Sequence, residues 1–224
     1  MYRFFVDKKN NNKFELSSDV LNHLKIIRLK KDEKFYCIFE EKYYICRLEN
    51  NEAIIEEETN IYNEFGFEII LFASLINIKK FEWLIQKATE LGVTQIYPMI
   101  SKNTNKKYID QYKTKIKRFK EISKNASEQS FRNKMVEIHL PIDFEEAIKY
   151  KINNKYIAHE KEKDNIEANI LFENDLAFYV GPEGGFDEKE ILLSKKYNIK
   201  TVSLGKRILR SETASIFLLS RIKN

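Results

Sequence analysis

The sequence predicts an α/β protein in two parts: a small, mostly β unit over residues 1–66, then a parallel, two-sided α/β sheet over residues 67–224. Three observations predict this. Short aromatic and β-branched runs crowd the first 66 residues. From Phe67 onward, apolar strands alternate with helical patterns, which is the signature of parallel βαβ units. Glycine is nearly absent except where two of the later apolar runs end.

In the first part, Phe35–Phe39, Tyr43–Leu48 and Ala53–Glu57 read as strands separated by polar turns. A short helix is expected around Ser18–Ile27, capped by Ser17 or Ser18. So many short strands in so few residues suggest a small barrel. The boundary is placed at Asn60–Phe67, before the apolar run Phe67–Ser74.

In the second part, Lys79–Leu91 puts Phe81, Leu84, Ile85, Ala88 and Leu91 on one helical face, with Gly92 as the residue that stops it. Val93–Ile100 reads as a strand. Ile109–Ser130 reads as a long helix with an apolar line through Tyr112, Ile116, Phe119 and Ala126. A short strand, Val136–Leu140, and a short helix, Phe144–Tyr150, follow. Lys155–His159, Leu176–Val180 and Lys200–Leu204 are strands; Asp187–Tyr197 and Ser211–Ile222 are helices. Trp83, the lone tryptophan, is expected to pack in the core, and His139 and His159 to be structural.

Composition narrows the function. Apolar residues make up 43% of the chain, enough for a core, and no apolar run approaches the ~20 residues that cross a bilayer. No signal-peptide core opens the sequence, so a cytoplasmic location is expected. Cys37 and Cys46 form no CxxC or Cys/His cluster, so no metal is expected; they read as two reduced thiols near a hairpin turning at Glu40–Lys42. The net charge of +5 is uneven. Residues 1–66 hold 11 basic and 13 acidic residues, net −2, and residues 67–224 hold 28 and 21, net +7. Lys102–Lys134 alone has 11 basic and 3 acidic residues, net +8. Such a stretch suits contact with phosphates or is a lysine-coated helix; charge alone does not separate the two.

Three of the six glycines stand in Gly181-Pro182-Glu183-Gly184-Gly185, and Gly205 opens Gly205-Lys206-Arg207-Ile208-Leu209-Arg210-Ser211-Glu212-Thr213-Ala214. Both segments follow a strand, where ligands bind in open α/β sheets. Neither has P-loop or G-x-G-x-x-G spacing, and Glu183 would repel a pyrophosphate. The second segment crowds Arg207, Arg210, Ser211, Glu212 and Thr213 at a helix start, which a mere turn does not need.

These paired segments resemble the signature of SPOUT-class RNA methyltransferases, and more narrowly of the RsmE family, which methylates N3 of a uridine in bacterial 16S ribosomal RNA. Arg3-Phe4-Phe5-Val6, His23-Leu24-Lys25-Ile26-Ile27-Arg28-Leu29, Gln86-Lys87-Ala88-Thr89-Glu90-Leu91-Gly92-Val93, Glu128-Gln129-Ser130 with Arg132, and His159-Glu160 resemble further family motifs in order. Ser211 stands where the family usually has threonine, and Asp32-Glu33 where it has a Gly-Asp turn. The resemblance implies a trefoil-knotted SPOUT domain over 67–224 preceded by a PUA-like, RNA-binding β-barrel over 1–66. It also implies S-adenosyl-L-methionine as cofactor, 16S rRNA in the small ribosomal subunit as partner, and a homodimer.

It further implies roles for residues. Gly181, Pro182, Gly184, Gly185 and Gly205 would bring main chain to the cofactor, and Leu204, Ile208 and Leu209 would wall its adenine. Arg210 would be the catalytic cation over a uracil oxygen. Glu183 would face the sulfonium or accept the N3 proton, and Glu212 would orient Arg210. Arg3, His23, Arg28, Gln129 and Arg132 would contact RNA. Two other readings stay open: an idle RNA-binding or assembly factor on this fold, and a SPOUT enzyme acting on another RNA, such as a tRNA ribose.

Overall fold

The computed structural model describes residues 1–30, 32–160 and 174–222, and they divide into two compact units. The first comprises Met1–Glu64 together with Ser127–Met135; the second comprises Phe65–Ala126 and Val136–Asn224.

The first unit is a curled six-stranded sheet. Its strands are β1 (Arg3–Phe5), β2 (Lys9–Asn10), β3 (Lys13–Glu15), β4 (Phe35–Phe39), β5 (Lys42–Glu49) and β6 (Glu52–Glu58), in the order β1-β4-β5-β6-β3-β2. Helix α1 (Ser18–Ile26) is capped by Ser17, whose Oγ accepts from the Val20 N–H. Phe4, Phe14, Leu24, Phe35, Cys37 and Cys46 pack in the core. The cysteines are two buried free thiols, not directly opposite: Cys37 pairs with Tyr44 and Cys46 with Phe35. Strands β1 to β3 escape the sequence reading because two- and three-residue strands carry no periodic pattern of their own.

Hairpin turns here do without glycine. Glu40 and Glu41 adopt φ of 46° and 65°, and Asn50 and Asn51 adopt 50° and 64°, the left-handed pairs that a two-residue hairpin turn demands. Asparagine tolerates this region well and glutamate less so.

Segment 127–135 is fastened into this unit by buried polar groups. Glu64 accepts from Nε and Nη2 of the Arg132 guanidinium and from the backbone N–H of both Asn133 and Lys134. The side chains of Arg132 and Glu64 are 5% and 3% exposed. Tyr43 donates to the Arg132 carbonyl and stacks on Phe131.

The second unit is a seven-stranded sheet in which every described pairing is parallel. Its strands are β7 (Ile69–Ser74), β8 (Gln95–Ile100), β9 (Glu137–Ile138), β10 (Ile142–Asp143), β11 (Asn154–Ala158), β12 (Leu176–Val180) and β13 (Lys200–Val202). The order is β10-β8-β7-β12-β11-β13, with β9 beside β8. Central strands β7 and β12 are buried at every position, as expected for a sheet covered on both faces. Alternate residues feed two cores. Ile69, Leu71, Phe178 and Val180 meet α2 (Ile78–Glu90), α3 (Lys107–Gln129) and α6 (Ser211–Leu219). Ile70, Ala177 and Tyr179 meet α4 (Phe144–Ala147) and α5 (Glu188–Lys196). On that second face His139, Tyr97, Phe72 and Tyr179 stack as a ladder across adjacent strands, with centroids 3.8, 4.9 and 4.6 Å apart. His139 is therefore structural, and its burial holds its pKa below that of a free imidazole. Trp83, in contrast, is 45% exposed on α2 and does not pack in the core: Phe81, Leu84, Ile85 and Ala88 take the buried face.

Two stability predictions follow from these contacts. Gly92 has φ +89°, and a Cβ there would lie 2.2 Å from the Phe65 ring. Gly92→Ala is expected to cost about 2–4 kcal/mol, read from the urea midpoint. Glu64→Gln removes the carboxylate charge that faces the buried Arg132 guanidinium and is expected to cost about 3–5 kcal/mol. A loss below ~1 kcal/mol would mean that the pair is expendable.

Candidate active site

Strands β11, β12 and β13 end level with one another. Ala158 pairs with Val202, and Val180 lies one residue beyond the pair Ile157–Tyr179. The chain leaving each strand therefore enters the same space. The result is a cavity open to solvent whose walls are His159 and Glu160 after β11, Gly181, Pro182, Gly185 and Phe186 after β12, and residues 204–209 after β13. Ser211 and Ala214, from the first turn of α6, also line it.

The glycine loop is a tight turn closed by a hydrogen bond from the Gly185 N–H to the Pro182 carbonyl, with Gly185 at φ +67°. A Cβ at 185 would sit 3.4 Å from the Glu160 carboxylate, an ordinary contact, so it is the positive φ that favours glycine there. Gly205 has φ +109° with open space around it, so its glycine is required by conformation and not by crowding. Loop and helix are fixed from outside: Asn103 donates to the carbonyls of Gly184 and Gly185, and Asp187 caps α5 in a capping box with Glu190. The Lys102 ammonium, and after it the Lys189 backbone N–H, hold the Asp187 carboxyl below its usual pKa.

Most of the expected cofactor residues meet here. Gly181, Pro182, Gly185, Leu204, Gly205, Ile208 and Leu209 line the cavity; Gly184 stands just outside it, against Asn103. Ala158, Glu160 and Phe186, to which the sequence assigns no role, also line the cavity, as do Arg207 and Ser211 of the polar cluster at the helix start and His159, which reads as structural. Ser211 Oγ is buried without a hydrogen-bond partner among the described residues, a donor and acceptor open to a ligand.

The three expected catalytic residues do not line the cavity. Arg210 is the N-cap residue of α6; its carbonyl accepts from the Ala214 N–H, while its exposed side chain has no hydrogen bond or ion pair among the described residues. Glu212 does not hold it: Glu183 Oε1 and Glu212 Oε1 lie 3.6 and 3.7 Å from the Lys80 ammonium. Lys80 escaped the sequence reading. A signal was present, since two lysines in the first turn of a helix oppose its dipole.

Of the residues expected to meet RNA, His23 and Arg28 are exposed on the first unit, His23 edge-on to Tyr2 and Phe4. Gln129 is exposed too. Arg3 is committed within the unit: it donates to the carbonyls of Glu128 and Gln129 and lies over the Phe131 ring. The expectation for Arg132 is corrected, because its guanidinium is buried against Glu64 and presents nothing to a surface. On α3, Lys113, Lys115, Lys117 and Lys120 are exposed, while Lys102 is paired with Asp187. Among the described residues no group of three or more His, Cys, Asp or Glu could hold a metal ion, and no helix is long and apolar enough to cross a membrane.

Comparison with known proteins agrees with this geometry. An RNA methyltransferase domain model matches residues 63–223. The ribosomal RNA small subunit methyltransferase E of Mesomycoplasma hyopneumoniae is 40% identical over 99% of this chain and 98% of its own length. That of Aquifex aeolicus is 30% identical over the whole of both chains. The crystal structure of the Neisseria gonorrhoeae ribosomal RNA small subunit methyltransferase E, bound to S-adenosyl methionine, has a TM-score of 0.88 at 29% identity, covering 98% of this chain and 95% of that one. A Legionella pneumophila protein solved with the cofactor SAM has a TM-score of 0.84 at 26% identity, covering 98% and 95%. The fold class is thus the one expected, a SPOUT-type α/β domain preceded by a PUA-like β-barrel unit. With level strand ends, a glycine-turn cavity and relatives along its full length, the chain belongs to the ribosomal RNA small subunit methyltransferase E family.

Proposed function

We propose that this protein transfers a methyl group from S-adenosyl-L-methionine to N3 of a uridine in 16S ribosomal RNA of the small subunit. The observation that carries the reading is the cavity at the level ends of β11, β12 and β13, with Ser211 Oγ unpartnered in its wall. Its chemistry suits this cofactor. Leu204, Ile208 and Leu209 offer apolar surface to an adenine. Main-chain groups of the two glycine turns, the Ser211 hydroxyl and the Glu160 carboxylate offer partners for ribose hydroxyls and an ammonium. The cofactor supplies an electrophilic methyl group on a cationic sulfur.

The remaining work falls to the protein. Uridine N3 carries a proton and attacks poorly until it is lost. Arg210, exposed beside the cavity and with its side chain unpaired among the described residues, stabilises the uracil anion as the proton leaves, since a neighbouring cation lowers an acid's pKa. Glu183 accepts that proton or faces the sulfonium. Holding base and methyl donor in line accounts for ~7–11 kcal/mol of the barrier. His23, Arg28 and the Gln129 side chain of the first unit, and the α3 lysines of the second, contribute RNA contacts that weaken as salt rises. We also propose a homodimer, as the family resemblance implies.

Two experiments test this. The full-length protein is incubated with labelled S-adenosylmethionine and small subunits from a strain lacking the gene, and the digested nucleosides are analysed by mass spectrometry. A single 3-methyluridine in 16S rRNA is expected; label on a ribose, on a tRNA or nowhere would overturn the assignment. Separately, Arg210→Ala is expected to lower kcat ~10²–10³-fold with the cofactor affinity kept, as for loss of one group that stabilises a developing anion. Loss of cofactor binding instead would remove Arg210 from the catalytic role.

A further inference from the structure

The first turn of α2 carries Lys79 and Lys80 and no acidic residue. Cations there oppose the positive end of the helix dipole, so the placement is unfavourable unless carboxylates answer it. Two do so at Lys80. Its Nζ lies 3.6 Å from Glu183 Oε1 and 3.7 Å from Glu212 Oε1. Glu183 belongs to the glycine turn after β12, and Glu212 follows cavity-lining Ser211 in the first turn of α6. The second oxygen of Glu212 is buried with no hydrogen-bond partner among the described residues, and its side chain is 12% exposed. Among the described residues, this carboxylate is therefore answered by the lysine alone. Helix α2 is a firm base for the bridge: Asn77 caps it, Phe81, Leu84, Ile85 and Ala88 are buried in the core, and it packs against α6.

We propose that Lys80 is a positioning residue for methyl transfer: its ammonium ties the glycine turn to the start of α6 through Glu183 and Glu212. It also occupies the carboxylate two residues from Arg210, so that the guanidinium stays free for the acceptor base. The proposal rests on the methyltransferase reading above. It assigns Lys80 no contact with cofactor or RNA.

The test compares K80M, which keeps the length and loses the charge, with K80R, which keeps the charge. Expected for K80M is a ~10–100-fold fall in kcat, the size that slight misplacement of reacting groups produces. KM for RNA and calorimetric affinity for S-adenosylmethionine should stay within ~3-fold. K80R should recover most of the turnover. Because K80M leaves Glu212 unpaired, the double variant K80M/E212Q serves as the folding control: it should melt near the wild type and bind S-adenosylmethionine normally. Wild-type kcat in K80M, no recovery in K80R, or loss of turnover only in step with cofactor affinity would each overturn the bridge. A wild-type protein that transfers no methyl group would instead overturn the functional reading, and the bridge with it.

Discussion

The site depends on one constraint: three neighbouring parallel strands stop at the same level. Backbone pairing fixes Ala158 against Val202 and carries Val180 to the same height. Parallel neighbours share a direction, so their C-terminal loops must emerge on one edge. The cavity is a result of register before it is a result of any side chain. The glycines then set how tightly the chain turns away, and the caps on α5 and the Asn103 bonds hold the turns in place. The doubly buried strands β7 and β12 matter to function for this reason: they hold the floor from which the loops depart.

Charge is divided between building and acting. Arg132 and Arg3 are spent on Glu64, on backbone carbonyls and on the Phe131 ring, and they hold the returning segment 127–135 in the first unit. Arg210, by contrast, is exposed beside the cavity, its side chain unpaired among the described residues. An unpaired guanidinium costs little while water solvates it and gains most when a developing anion replaces that water. Lys80 belongs between these classes, committed to two carboxylates that themselves stand next to the cavity loops.

The fold was largely legible because long elements write their period locally. The apolar face of α2, the continuous apolar runs of β7 and β12, and the scarcity of glycine can all be read within a dozen residues. The cavity loops were legible for the same reason. What stayed hidden depends on partners far along the chain. Lys80 meets its carboxylates more than a hundred positions later, and β1 is a strand only because β4 lies beside it. Arg132 looked like an RNA contact because a sequence shows a charge and not its burial; Glu64, 68 positions earlier, decides the matter. His159 shows the reverse case, a strand-end residue that reads as structural and that register delivers to the cavity. Trp83 was misplaced because adjacent helical positions differ by about 100°, so its neighbour Leu84 is fully buried while its own ring stands half outside.

That half-exposed ring has a spectroscopic consequence. It is the only tryptophan in the chain, and it stands on α2 in the second unit, one turn beyond Lys80. Emission excited at the red edge of tyrosine absorption therefore reports on the second unit alone, whereas far-ultraviolet dichroism reports on both. Overlaying the two unfolding curves measures how far the units lose structure together, without introducing any label.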